Sequence, residues 1–160
     1  EKEQISSASI DIRLHKEFII FKRSQISSIE CDVKSPSEWD TAIHKFQERV
    51  RLSFGETFIL HPGELVLGGS LEYISLPDDI FATVEGKSTL GRLGLIIATA
   101  TSISPGFKGC LTLEIVNEGE VPIKVKPGQL IGQLIFFNTT GKAKYDGKYI
   151  HPVGPQYASL

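Results

Sequence analysis

The sequence predicts an all-β fold, a barrel or a sandwich, from three observations. Short apolar or alternating runs recur along the chain, and residues that favour turns bound each run. Only one segment has its apolar residues at helical spacing. At 160 residues, with 41% hydrophobic and 22% charged residues, the chain is long enough for one domain with a real core. The turn signals are Pro62-Gly63, Gly68-Gly69, Pro77-Asp78-Asp79, Pro105-Gly106, Asn117-Glu118-Gly119, Pro127-Gly128 and 138–141.

The predicted elements follow from local patterns. A helix is expected over residues 37–47, where Trp39, Ile43 and Phe46 recur at helical spacing after a capping serine, Ser35 or Ser37. Clean alternation predicts strands at residues 111–115 and 123–126, and the apolar residues 130–137 indicate a central strand. The polar, glycine- and tyrosine-rich residues 141–160 predict an extended tail, either disordered or laid across another surface such as a neighbouring subunit. The expected division is therefore a domain over 1–140 and a tail over 141–160.

Charge and cysteine content exclude several classes of protein. A formal net charge of −2 gives no basis for a nucleic-acid or membrane surface. Cys31 and Cys110 are too few and too far apart for a disulfide framework, so a cytoplasmic protein is expected. No apolar run reaches transmembrane length, and no signal-peptide pattern is present.

Residues 85–95, EGKSTLGRLGL, contain a Gly-Lys-Ser-Thr sequence similar to the end of a phosphate-binding P-loop. That motif needs a glycine where Phe81 stands and a helix afterwards, and the two glycines that follow Thr89 make a poor first helical turn. A P-loop is therefore rejected. The stretch is still rich in groups that can donate hydrogen bonds to phosphate, with two cations and two hydroxyls. The alternative interpretation is a solvated polar turn without a ligand.

Glu114 is the strongest candidate for a catalytic residue. Alternation places Leu111, Leu113 and Ile115 on one face of a strand and Thr112 and Glu114 on the other. A carboxylate in so apolar a strand must meet water, a ligand or a charge. It is either a solvent-facing glutamate or, in a pocket, a group whose raised pKa lets it move protons near neutral pH.

Two common catalytic arrangements are not supported. The histidines are scattered, and neither His-x-Glu nor Cys-x-x-Cys occurs, so the zinc site of many nucleobase deaminases is not expected. No Gly-x-Ser-x-Gly elbow accompanies the serines.

Five stretches in order resemble the dCTP deaminase and dUTPase superfamily, and the deaminase branch most closely. Residues 4–14 resemble its early PAS-(I/V)-D-(L/V)-R-L segment, and residues 85–95 resemble EGRSSLGRLGL. Residues 105–114 resemble DPGFxGxxTLE, 127–134 resemble PGxxIGQL, and 145–154 resemble the C-terminal Y…KY…G segment. The resemblance covers nearly the whole chain.

This resemblance implies an all-β, distorted jelly-roll barrel of the dUTPase-like type with one short helix, assembled as a homotrimer with sites between subunits. It implies a deoxynucleoside triphosphate substrate, with Mg²⁺ bound to the triphosphate rather than by protein ligands. Glu114 matches the glutamate that activates water for attack on C4 of cytosine. The implied substrate-binding residues are Lys87, Ser88, Thr89, Arg92, Ala100, Ser104, Thr112, Leu113, Gln133, Tyr145 and Lys148.

The chain departs from the family pattern at three places. Lys87 stands where arginine is usual, which keeps the charge but loses the bidentate fork. The segment 98–104 is a residue shorter than its usual counterpart; Ala100 matches, but Thr101, Ser102 and Ser104 replace the rest. Ser104 stands at an aspartate that contacts the deoxyribose and, in dUTPases, orients the attacking water. Pro152 stands where a glutamine usually contacts the nucleotide.

Three functions are compatible with these residues. The first is a dCTP deaminase that produces dUTP and ammonia. The second is a dUTP diphosphatase, or a bifunctional enzyme that gives dUMP from dCTP; the serine at 104 argues against an ordinary dUTPase. The third is a nucleotide-binding regulator that kept the fold and lost the chemistry.

Overall fold

A computed structural model describes residues 2–22, 28–30, 32, 35–100 and 102–159. Cys31 and Thr101 lie outside the described residues. Helix α1 is Pro36–Phe46, α2 is the single turn Ser88–Gly91, and a 3-10 turn covers Lys2–Gln4. The strands are β1 Ser9–Arg13, β2 Glu17–Phe21, β3 Gln47–Arg51, β4 Phe58–Leu60, β5 Leu65–Gly69, β6 Ile74–Ser75, β7 Ile80–Gly86, β8 Leu95–Ile97, β9 Ser102–Ile103, β10 Lys108–Gly109, β11 Thr112–Asn117, β12 Ile123–Val125 and β13 Leu130–Asn138.

The strands form two main antiparallel sheets. One has the order β1-β13-β7-β9 and the other β3-β2-β5-β11-β8, with the small pairs β10-β6 and β12-β4 beside them. The expected central strand at residues 130–137 is confirmed, because β13 pairs with β1 on one side and β7 on the other. The predicted all-β class is confirmed.

The core lies between the two main sheets. The five-stranded sheet contributes Phe18, Val66, Leu113 and Ile115, and the four-stranded sheet contributes apolar residues such as Leu134, all at most 1% exposed. Burial of these side chains is the main stabilising term of the fold. The alternate residues of β2, β5 and β11 therefore point to the opposite, outer face of the five-stranded sheet.

Two local predictions need correction. The residues after Lys87 do form a helical turn, α2, in which the amides of Gly91 and Arg92 bond to the carbonyls of Lys87 and Ser88. The glycines do not prevent it, because the turn ends at Gly91 and the chain reverses at Gly94, whose φ is +94°. Helix α1 agrees with prediction, but the Ser35 hydroxyl at its N-cap accepts no capping bond from a backbone amide and contacts the Ser37 hydroxyl instead.

The C-terminal residues 141–159 have no helix or strand, as expected, but they pack on the chain's own barrel. The amide of Cys110 donates to the carbonyl of Pro152 (2.7 Å), and Arg49 donates to the carbonyl of Pro155 (2.9 Å). The indole of Trp39 donates to the carbonyl of Ala158 (2.8 Å). These contacts lay the tail across the outer face of the five-stranded sheet.

Candidate active site

A cavity of about 480 Å³ lies between the outer face of the five-stranded sheet and the C-terminal tail. Its walls are mostly apolar. The lining residues are Phe21, Gln47, Leu65, Leu67, Thr99, Ala100, Phe107, Cys110, Leu111, Thr112, Glu114, Tyr145, Tyr149, Pro152, Gln156 and Ala158. Of the residues proposed from the sequence, this cavity brings together Glu114, Thr112, Ala100 and Tyr145.

Glu114 lines this cavity from β11. Its neighbours on β11, Leu113 and Ile115, are fully buried in the core, so the alternation of the strand fixes Glu114 on the outer face. Burial raises the pKa of the Glu114 carboxyl above its usual value. No donor among the described residues bonds to this carboxylate, so desolvation is not offset and the group is suited to proton transfer.

The edge of β11 beside Glu114 is opened by Thr99. The main-chain ladder between β8 and β11 ends where the amide of Ala98 donates to the carbonyl of Glu114 (2.8 Å). The next donor, the amide of Glu114, bonds to the Thr99 hydroxyl (2.8 Å) instead of a backbone carbonyl. A side chain thus replaces the strand partner, and the chain at residues 98–100 leaves the sheet. The polar backbone of Thr112 and Leu113 lies along this opened edge.

The tail supplies the outer wall. The amide of Gln156 donates to the Thr112 hydroxyl (3.0 Å), and the ring of Tyr145 packs edge-on against Phe107 at 5.3 Å between centroids. Tyr149 lines the cavity, whereas Lys148 is exposed and lies outside its lining. Sequence reasoning missed Tyr149 and Gln156, because nothing in the tail's composition fixes which of its side chains turn inward.

The departures at 104 and 152 have structural consequences. The carbonyl of Pro152 anchors the tail at Cys110, and its ring lies so close to Gly109 that a Cβ added there would be 2.4 Å from the proline Cδ. Ser104 is exposed at a turn where its carbonyl accepts from the amide of Phe107 (3.2 Å), with Gly106 at φ +77°. Ser104 does not line the cavity.

Five other proposed binding residues lie in a different region, on β13 of the four-stranded sheet and in the segment that follows β7. Lys87 precedes α2 and pairs with Asp11 at 2.6 Å; Gln133 lies opposite Asp11 on β13 and accepts a bond from Ser9 (3.0 Å). The side chains of Ser88, Thr89 and Arg92 are exposed. None of these five proposed residues lines the cavity that contains Glu114.

Cys110 is a buried free thiol on the cavity wall, and burial raises its pKa. Among the described residues, no three histidine, cysteine, aspartate or glutamate side chains converge as a metal-binding group. No helix in the described part of the chain is long and apolar enough to cross a membrane.

The sequence profile of the dCTP deaminase-like family matches residues 1–139. The chain belongs to this family. It is 40% identical over 165 residues to a dCTP deaminase of Halorubrum lacusprofundi, covering 99% of this chain and 78% of the relative. It is 42% identical over 163 residues to the dUMP-forming dCTP deaminase of Leifsonia xyli, covering 97% of this chain and 77% of the relative.

A solved structure has the same fold. The crystal structure of 2'-deoxycytidine 5'-triphosphate deaminase from Agrobacterium tumefaciens superimposes with a TM-score of 0.64 and 25% identity over 85% of this chain. This chain spans 41% of the length of that one. The expected jelly-roll barrel of a dCTP deaminase-like protein is thereby confirmed, and the expected hydrolase is confirmed at the level of the family.

Proposed function

We propose that this protein is a dCTP deaminase: water replaces the C4 amino group of cytosine, giving dUTP and ammonia. The observation that carries the proposal is Glu114, a carboxylate held in an apolar cavity with a raised pKa and no bond to its oxygens among the described residues. Membership in the dCTP deaminase-like family and the names of relatives near 40% identity support the same reaction.

The chain's own groups account for the proton transfers. The Glu114 carboxylate takes a proton from water as the water oxygen adds to C4, and N3 receives that proton. The carboxyl then moves the proton of the new hydroxyl to the amino group; the C4–N bond breaks and ammonia leaves with its electron pair. The ring keeps a carbonyl at C4 and a proton at N3, which is uracil. A raised pKa suits a group that must first accept and then donate.

The triphosphate is assigned to Lys87, Ser88, Thr89 and Arg92, with Gln133 beside them. Because these residues lie outside the Glu114 cavity of their own chain, we infer that a second copy supplies them, in a homotrimer with sites between subunits. Their exposure leaves the hydroxyls and the Arg92 guanidinium available to phosphate oxygens. Tyr145, Lys148 and the rest of the tail would close the nucleotide in and exclude water.

Mg²⁺ would enter with the triphosphate and reduce its charge. The donors at the loop suit phosphate oxygens rather than a metal ion, since lysine and arginine cannot ligate Mg²⁺. The loop would therefore hold the metal complex through its phosphates.

A dUMP-forming reaction is the second candidate, because several relatives at 40–45% identity carry that name. It requires a second water to attack the triphosphate and release pyrophosphate. Ser104 cannot serve as the carboxylate base for that water.

Incubation with Mg²⁺ and dCTP, dUTP, CTP or dTTP, with ammonia and pyrophosphate followed separately, tests both reactions. Ammonia from dCTP without pyrophosphate supports the proposal as stated. Both products from dCTP support the dUMP-forming reaction. If neither ammonia nor pyrophosphate forms while nucleotide binding is retained, both reactions are contradicted. The non-catalytic nucleotide-binding regulator is then the function that remains.

A further inference from the structure

Gln47 is anomalous among the residues that line the cavity. Its side chain is only 5% exposed, and its Oε1 atom is buried without any hydrogen-bond partner. It is the one buried side-chain nitrogen or oxygen without a hydrogen-bond partner within the described part of the chain. An unpaired buried carbonyl costs free energy, and native proteins keep such groups where another role compensates.

The position of Gln47 is determined by the end of α1 and the start of β3. Its amide donates to the carbonyl of Ile43, which closes the helix, and its place on β3 is opposite Phe21 of β2. Phe21 also lines the cavity, so the Gln47 side chain lies on the outer face of the sheet, the same face as Glu114. The walls between them are the apolar side chains of Leu65 and Leu67.

The register gives the span of the cavity. Glu114 is opposite Leu67 and Leu67 is opposite Ile19, which in turn is opposite Arg49, two residues from Gln47. Three strand spacings and two residues separate the two backbones by about 15 Å, and both residues line the cavity. A pyrimidine ring alone is too short to touch both. A nucleoside with a hydrogen bond at each end has a comparable length.

We propose that Gln47 is a positioning residue that binds the sugar of the nucleotide, its side-chain carbonyl accepting a hydrogen bond from the 3'-hydroxyl. The proposal rests on the proposed deaminase function. Apart from the base, the 3'-hydroxyl is the hydrogen-bond donor of the nucleotide, since the phosphate oxygens act as hydrogen-bond acceptors. Ser104, which the family resemblance placed at the sugar, does not line the cavity, so Gln47 provides the acceptor there.

The proposal predicts opposite effects of a Gln47 substitution on the stability of the free protein and on nucleotide binding. Replacing Gln47 by leucine removes a buried side-chain carbonyl without a hydrogen-bond partner from an apolar wall, so the free protein becomes more stable. The same change removes a hydrogen bond to bound nucleotide, so the KM for dCTP rises about 5- to 10-fold with little change in kcat. If Gln47 had only a structural role, its replacement by leucine would not raise both the stability of the free protein and the KM for dCTP.

The test compares dCTP with 2',3'-dideoxycytidine triphosphate in the wild type and Gln47→Leu. The wild type is expected to lose affinity for the dideoxy analogue, and Gln47→Leu is expected to bind the two nucleotides with a ratio near one. Thermal unfolding without nucleotide is expected to shift upward in Gln47→Leu. An unchanged preference for dCTP over its dideoxy analogue in Gln47→Leu would overturn the proposal, whatever the unfolding temperature.

Failure of the proposed function is distinguished by a binding measurement. Trp39 is the only tryptophan, and its indole bonds to the tail over the cavity, so its fluorescence reports nucleotide binding without turnover. If the wild type releases no ammonia from dCTP, the deaminase proposal fails. The ratio of the dissociation constants for dCTP and the dideoxy analogue still tests the role of Gln47. If this ratio is the same in the wild type and in Gln47→Leu, Gln47 does not bind the sugar.

Discussion

The two groups of proposed site residues differ in almost every physical respect. Glu114 and Thr112 lie in an apolar cavity, on a strand fixed by core packing and covered by the chain's own tail. The loop at residues 87–92 is exposed, polar and built on one helical turn. The first region is suited to altering a pKa and excluding water, and the second to binding a large anion. Neither region alone could carry out the proposed reaction.

The difference suits two separate roles in the proposed reaction. A group that changes protonation needs an enclosed environment, which a single barrel can provide with its own sheet and tail. A triphosphate needs several donors that remain exposed until the ligand arrives. Since the two sets do not share a cavity in one chain, the comparison predicts that they meet across a subunit interface.

The largest expected effect comes from Glu114→Gln, which tests the enclosed region. The amide keeps the shape and loses the proton transfer, so deamination of dCTP falls by about 10²- to 10⁴-fold while dCTP binding is retained. Ammonia release and Trp39 fluorescence measure the two quantities. Glu120→Gln, at an exposed position outside the cavity, is the matched control and retains full activity. Comparable activity in both variants would remove Glu114 from the mechanism.

Arg92→Ala tests the exposed region. Loss of a charge-assisted bond to phosphate is expected to raise the KM for dCTP about tenfold or more, with unfolding unchanged because Arg92 makes no ion pair within the described residues. Arg51→Ala is the control, since Arg51 is also exposed and only approaches Glu17 at 4.0 Å. An equal KM in the two variants would mean that the loop does not hold the triphosphate.

Thr99 provides a sharper test of how Glu114 is placed. Thr99→Val removes the hydroxyl that accepts from the Glu114 amide, at a cost of about 1 kcal/mol in the free energy of unfolding and a several-fold loss of kcat. Thr99→Ser keeps the hydroxyl and should behave like the wild type. Chemical denaturation and steady-state kinetics measure both. If serine and valine are equally impaired, the methyl group rather than the hydroxyl is what matters.

The smallest effect is a pH dependence of stability. Because the folded pKa of Glu114 is raised, the folded state binds more protons than the unfolded state between the usual glutamate pKa and the folded value. Glu114 therefore favours folding below its unfolded pKa, and this contribution is lost as pH rises through the folded pKa. Glu114→Gln should match the wild type at low pH and exceed its stability at neutral pH. A difference that does not vary with pH would show that Glu114 is not desolvated.

The sequence predicted what local patterns determine. Alternation placed Glu114 and Leu113 on opposite faces of β11, and the apolar run at 130–137 identified a central strand. The packing of the tail was not predictable, because its contacts with Trp39 and Arg49 join residues more than 100 positions apart. Gln47 was missed for the same reason: it reaches the cavity only through the pairing of β3 with β2.

Mixing Glu114→Gln and Arg92→Ala subunits tests the central claim most directly. If each site takes its glutamate from one subunit and its loop from another, random reassembly of the two impaired variants gives the wild-type combination at about one quarter of the sites. Equal amounts are unfolded together and refolded, and ammonia release is assayed at a dCTP concentration well below the wild-type KM, where Arg92→Ala is also slow, beside each variant treated alone. Recovery near that fraction is the predicted result. Activity no greater than the average of the two variants would contradict a site shared between subunits.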